Sequence, residues 1–158
     1  MKPHLILKRY KYEFLLFGIF QHLFMALFIP DLIIYRSIFW PINMVILGLS
    51  SFGVYLERNK HRLLILRILI LTICSTPILS YFVGFSKEVL IFLGISYTAF
   101  FVYVFYEVFK YLIKPSYFNK DIIIASGCGY LLLIEMAVFI QQTIFYIQPL
   151  SYKGLDLS

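Results

Sequence analysis

The chain has 158 residues, of which 61% are hydrophobic and only 14% charged, with a formal net charge of +6. A soluble domain of this length buries about 70% of its unfolded surface and still needs a polar exterior, which so few polar residues do not supply. The basic residues stand at the edges of apolar runs, a placement that speaks for membrane topology and against a nucleic-acid partner.

Five apolar runs predict an all-α, polytopic helical bundle forming a single transmembrane domain over 1–158. The first span, 14–30, follows Lys2, Lys8, Arg9, Lys11 and Glu13 and ends at Pro30 and Asp31. It is short for a hydrocarbon core of ~30 Å, and Tyr10 and Tyr12 are placed to extend it into the interface. No small-residue cleavage site follows, so it reads as a retained span and not a signal peptide.

The second span, 37–56, carries Pro41 near its start, where proline is tolerated. It leads into a polar cluster, Glu57 to Arg62. The third, 63–83, holds Arg67 one turn inside, able to snorkel to the headgroups, and Pro77, expected to kink the helix or end its regular part early. The fourth, 89–109, is dense in aromatics from Tyr97 to Phe109, which read as packing and lipid-facing surface. The fifth, 122–147, is the longest, and Pro149 and Gly154 mark the tail beyond it as loop.

Allocating the connectors alternately places 11 of the 14 Lys and Arg on one side and Arg36, Lys87 and Lys153 on the other. The positive-inside rule then puts the N-terminus in the cytoplasm and the C-terminus outside. The expected location is the cell (inner or plasma) membrane, as a multi-pass protein with the lipid bilayer as its solvent.

Glu135 is the foremost candidate for chemistry, because it stands among Leu131 to Val138 near the middle of the fifth span. A carboxylate at that depth is costly, so it faces the bundle interior, a cavity or a neighbouring subunit, or carries a proton. Gln142, two turns further along, falls on roughly the same face. Two roles stay open: a proton- or cation-sensing position, or an interhelical hydrogen bond that fixes packing. His22, beside Gln21 in the first span, reads as a packing hydrogen-bond donor before a ligand. Ala125 and Gly129 have the small-xxx-small spacing that lets helices approach closely.

Cys74 and Cys128, in separate runs, read as small hydrophobes. No metal-ligand spacing, nucleophile motif or phosphate loop is present, so neither an enzyme nor a cofactor or metal site is expected. The run Gly127-Cys128-Gly129-Tyr130 only superficially looks like a potassium filter, since it falls in a continuous apolar helix.

The segment Lys120–Asp156 resembles the last helix before the pore in bacterial potassium-channel-like membrane proteins. The matching elements are Asp121, Ile123, Tyr130 to Leu133, and Pro149, Ser151 and Tyr152. They cover about a quarter of the chain. The resemblance implies an ion-channel-like module of pre-pore helices, related to ion-transport proteins. In that family a pore helix, a filter and an inner helix follow this point, whereas the chain ends at Ser158. On this reading it carries no filter, does not conduct selectively, and acts by helix association with itself as a homo-oligomer or with a related membrane subunit. Two other readings remain: a small oligomeric pore or proton-coupled transporter using Glu135, and a membrane effector or accessory subunit.

Overall fold

The computed structural model of the chain describes residues 7–31, 34–55, 60–84, 86–113 and 119–148. His4, Arg58, the 114–118 connector, and the tail with Pro149, Ser151, Tyr152 and Gly154 lie outside the described residues, as do the side chains of Arg36 and Pro77. The described residues are 93% helical and contain no strand.

Five α-helices follow one another: α1 (Lys11–Phe28), α2 (Trp40–Tyr55), α3 (Lys60–Val83), α4 (Lys87–Leu112) and α5 (Lys120–Ile147). A π-helical turn, Tyr35–Phe39, leads directly into α2, with the Trp40 N–H donating to the Tyr35 carbonyl. Pro41 has no N–H to offer the preceding turn, and widening of the ladder just before a proline is the expected accommodation. The starts of α4 and α5 are capped by polar side chains. The Ser86 hydroxyl accepts from the Val89 N–H, and Asn119 Oδ1 accepts from the Ile122 N–H at 3.0 Å. Glu88 and Asp121 occupy first turns and Lys110 a last turn, as the helix dipole favours.

Four of the helices begin two or three residues before the corresponding apolar run. Hydropathy marks which residues suit lipid, whereas the hydrogen-bonded ladder continues into charged flanks such as Lys60-His61-Arg62. α3 likewise continues past Pro77 to Val83. Tyr12, assigned from sequence to the interface, is instead buried, its ring 4.8 Å from that of Tyr111.

The helices pack in a closed ring, α1 on α2, α2 on α3, α3 on α4, α4 on α5 and α5 back on α1. Side-chain contacts set their directions. Glu13 meets Lys120 at 3.0 Å, Tyr12 meets Tyr111, and Tyr55 donates to the Tyr103 carbonyl. One end of the bundle therefore gathers the starts of α1, α3 and α5 and the ends of α2 and α4. At the other end the Lys87 ammonium donates to the Ile147 carbonyl. Consecutive helices are antiparallel, and residues 11 and 147 lie at opposite ends.

The interior holds Leu15, Ile19, Met44, Leu47, Tyr97, Phe100, Phe101, Val104, Leu132 and Phe139. The outside is nearly as apolar, with Phe17, Phe20, Leu27, Phe28, Leu71, Phe82, Phe92, Ile95, Ile123 and Tyr130 all exposed. Such a surface far exceeds the apolar patches a soluble monomer tolerates. Three helices, α1, α4 and α5, are long and apolar enough to cross a bilayer, and α2 is a shorter apolar helix. The protein is an all-α membrane protein.

Two glycines allow close approach between helices. A Cβ on Gly18 would fall 2.7 Å from Ser50 Oγ and one on Gly94 would collide with the Thr143 hydroxyl, while one on Gly127 would meet open space. Gly18→Val and Gly94→Val are expected to destabilise the detergent-solubilised protein by about 1–3 kcal/mol each through overpacking. Gly127→Ala should be neutral or stabilising by up to about 1 kcal/mol. Thermal unfolding followed by circular dichroism checks all three.

Candidate functional site

Two charged contacts reach into the largely apolar interior of the bundle. In the first, His22 from α1 and Glu135 from α5 meet 113 positions apart in sequence, with Nδ1 and Oε1 separated by 2.5 Å. The residues are 8% and 2% exposed, so the contact is removed from solvent. With the carboxylate ionised, Nδ1–H donates to Oε1. That fixes the imidazole orientation and leaves Nε2 on the far side of the ring, where it is buried without a hydrogen-bond partner.

Helical spacing explains why Glu135 points inward. Ala125, Cys128, Leu132, Glu135 and Phe139 recur every three or four residues along α5 and are all buried. On α1 the buried positions Tyr12, Leu15, Ile19 and His22 follow the same rule. Aromatic rings hold the histidine: its centroid is 6.1 Å from Phe101 and 6.2 Å from Phe139, nearly parallel to the latter. Phe139 in turn packs edge-on against Tyr97, and Tyr97 edge-on against Trp40.

A cavity of about 360 Å³ opens beside the pair. Its lining includes His22, Glu135, Tyr35, Trp40, Gln142 and Tyr146, with Leu90, Leu93 and Gly94 of α4 completing the wall. It occupies the half of the bundle where α1 ends and α4 begins. Next to it, Gln21 donates to Asn43 Oδ1 at 3.0 Å, tying α1 to α2.

The second polar site lies toward the opposite end. Glu107 of α4 is 0% exposed and accepts from the Arg62 guanidinium of α3 at 2.5 Å. The Tyr103 hydroxyl donates to the Arg62 carbonyl, and Tyr55 stacks on Tyr103 at 5.3 Å. Sequence reading missed this pair, because Glu107 marks the fading end of an apolar run and Arg62 belongs to a polar cluster. One signal was available: Phe100, Val104, Glu107 and Val108 share a helical face, so burial of the first two buries Glu107.

The candidates singled out in the sequence divide into two groups. Glu135, His22 and Gln142 come together at the cavity. Ala125 and Gly129 do not join them; both are buried, and Gly129 faces Phe105, Val108 and Leu112 of α4. Gly129 thus packs at ordinary contact distance on the α4–α5 interface within the chain. Cys128, also buried, donates to the Tyr12 carbonyl at 3.5 Å. No cluster of metal-binding side chains occurs among the described residues.

No protein-family profile matches the chain, and comparison with characterised proteins and with solved structures returns no match.

If the His22–Glu135 contact holds α1 to α5, each of His22→Leu and Glu135→Leu should destabilise the fold. The double variant should lose less than the sum, with a coupling energy of about 1–2 kcal/mol. Denaturant titration in mixed micelles measures the cycle. Gln142→Leu, on the cavity wall, should change stability by no more than about 0.5 kcal/mol.

Proposed function

We propose that the chain is a non-enzymatic membrane module, similar to the helices preceding the pore of a tetrameric potassium-channel-like protein. It acts by associating with pore-bearing copies or relatives, not by conducting. The observation that supports this is the packed apolar middle of the bundle. Between the His22–Glu135 contact and the Arg62–Glu107 contact the space is filled by Leu15, Ile19, Leu47, Phe100, Phe101 and Val104. An ion has no hydrated or carbonyl-lined route through such a core, and selective conduction requires one. The intramembrane charges are used to hold helices together, while the apolar exterior of α4 and α5 is left for lipid or a neighbouring subunit.

In this proposal five helices span the inner or plasma membrane, and the basic end of the bundle faces the cytoplasm. Lys8, Arg9, Lys11, Lys60, Arg62, Lys110 and Lys120 belong to that end, against Arg36 and Lys87 among the described residues of the other. Maleimide labelling of single cysteines introduced at Lys8 and Gln148, in a Cys74→Ala/Cys128→Ala background, should reach position 148 from outside and position 8 only after permeabilisation. Labelling of both from one side overturns the five-span arrangement.

Association and conduction are tested together. Proteoliposomes holding the chain alone should show no potassium flux above protein-free vesicles. Co-expression with a filter-bearing channel of the resembled group should give a co-purifying complex. Selective potassium flux from the chain alone, or no complex with such a channel, overturns the proposal.

A second reading, a small oligomeric pore or transporter driven by protonation at Glu135, is favoured by one specific observation. The His22–Glu135 contact borders a cavity in place of being sealed in the core. Proton-driven solute uptake that disappears in Glu135→Gln would establish it, and uptake at wild-type level in that variant would eliminate it.

A further inference from the structure

We infer that the cavity beside His22 and Glu135 is a binding site for a primary ammonium group. The volume of about 360 Å³ is roughly ten times the share of one liquid water, room for a small amine of several heavy atoms. Its chemistry is selective in sign. Glu135 contributes a carboxylate of which only Oε1 is engaged by a protein hydrogen bond, from His22. Gln142 adds an amide to the same wall. The carboxylate and the Gln142 amide oxygen match the charge and the N–H donors of an alkylammonium.

The remaining lining matches the same ligand. Tyr35, Trp40, Phe139 and Tyr146 present aromatic rings to the space, and ring faces attract a desolvated cation. An anion would meet the Glu135 carboxylate with no fixed basic side chain to oppose it, since the described residues lining the cavity include no Lys or Arg. A neutral apolar guest would offer no donor to the second carboxylate oxygen in a low-dielectric setting, which is costly. Two sources supply the chemistry: the headgroup amine of an ethanolamine phospholipid and a free small amine.

The inference rests on the protein being embedded in a membrane and not on its relation to a channel. Its readout does not involve potassium flux or complex formation, so the two can fail separately. Trp40 is the only tryptophan in the chain and lines the cavity, which makes it an internal reporter. The full chain in phosphatidylcholine nanodiscs is titrated with ethanolamine, propylamine, tetramethylammonium and the uncharged 1-propanol while Trp40 emission is followed. A parallel set uses nanodiscs containing phosphatidylethanolamine.

The expected result is a saturable emission change with the two primary amines, weaker by about tenfold or more with tetramethylammonium and absent with 1-propanol. Glu135→Gln, which keeps size and can still accept from His22, should weaken amine binding by about tenfold or more. Gln142→Leu should weaken it by about threefold, with the circular dichroism of the wild type. Phosphatidylethanolamine that shifts the emission and competes with added ethanolamine identifies the lipid source. Equal ethanolamine affinity in both nanodiscs identifies the free amine. An absent emission change in every arm overturns the inference. So does an equal response to 1-propanol, or unchanged amine affinity in Gln142→Leu together with Glu135→Gln.

Discussion

A carboxyl group surrounded by hydrocarbon has to be met by a hydrogen-bonding partner, and in this bundle Glu135 is met by His22. That requirement reaches beyond one hydrogen bond. The donor sits on the first helix and the acceptor on the last, so satisfying it closes the ring of helices. Lipid offers little drive for helices to associate through apolar surface alone. Polar contacts and close-packed small residues must supply it, and the structure places both at helix interfaces: His22 with Glu135, Arg62 with Glu107, Gly18 against Ser50 and Gly94 against Thr143.

The two charged contacts differ in surroundings. Arg62 is 33% exposed and reaches inward from the basic end of the bundle, so its partner Glu107 is neutralised at the edge of the core. Arginine keeps its charge in such a place, and its planar fork loses little orientation when bound. The His22–Glu135 contact lies deeper, between aromatic rings, and adjoins a cavity. The first contact is suited to holding position and the second to responding to what enters beside it.

Much of the architecture was legible in the chain as written. Each described α-helix covers one of the apolar runs, because lipid-facing residues must be apolar whatever they pack against. The continuous helix through Gly127 to Tyr130 followed from the same rule. Glu135 and His22 were each visible as polar residues out of place, but nothing in the local pattern joined them. Their contact depends on which helices are neighbours and on the rotation of each about its axis, and five similar apolar helices do not encode that order in their hydropathy. For the same reason Gly129 was legible as a small residue on a packing face, while its neighbours on α4 of the same chain were not.

Glu107 shows the limit from the other side. It stands at the end of an aromatic helix beside Lys110, where a charge ordinarily marks the return to water. Only the packing of α3 against α4 brings Arg62 over it. By itself, then, the sequence determined that the chain is helical, that its surface belongs in lipid, and which polar residues are anomalous there, because these follow from composition and helical period one residue at a time. The tertiary structure decided which anomalies pair, which small residues face inward, and that a cavity opens beside the histidine and the carboxylate. Those are properties of side chains far apart in the chain, and they exist only once the helices are set against one another.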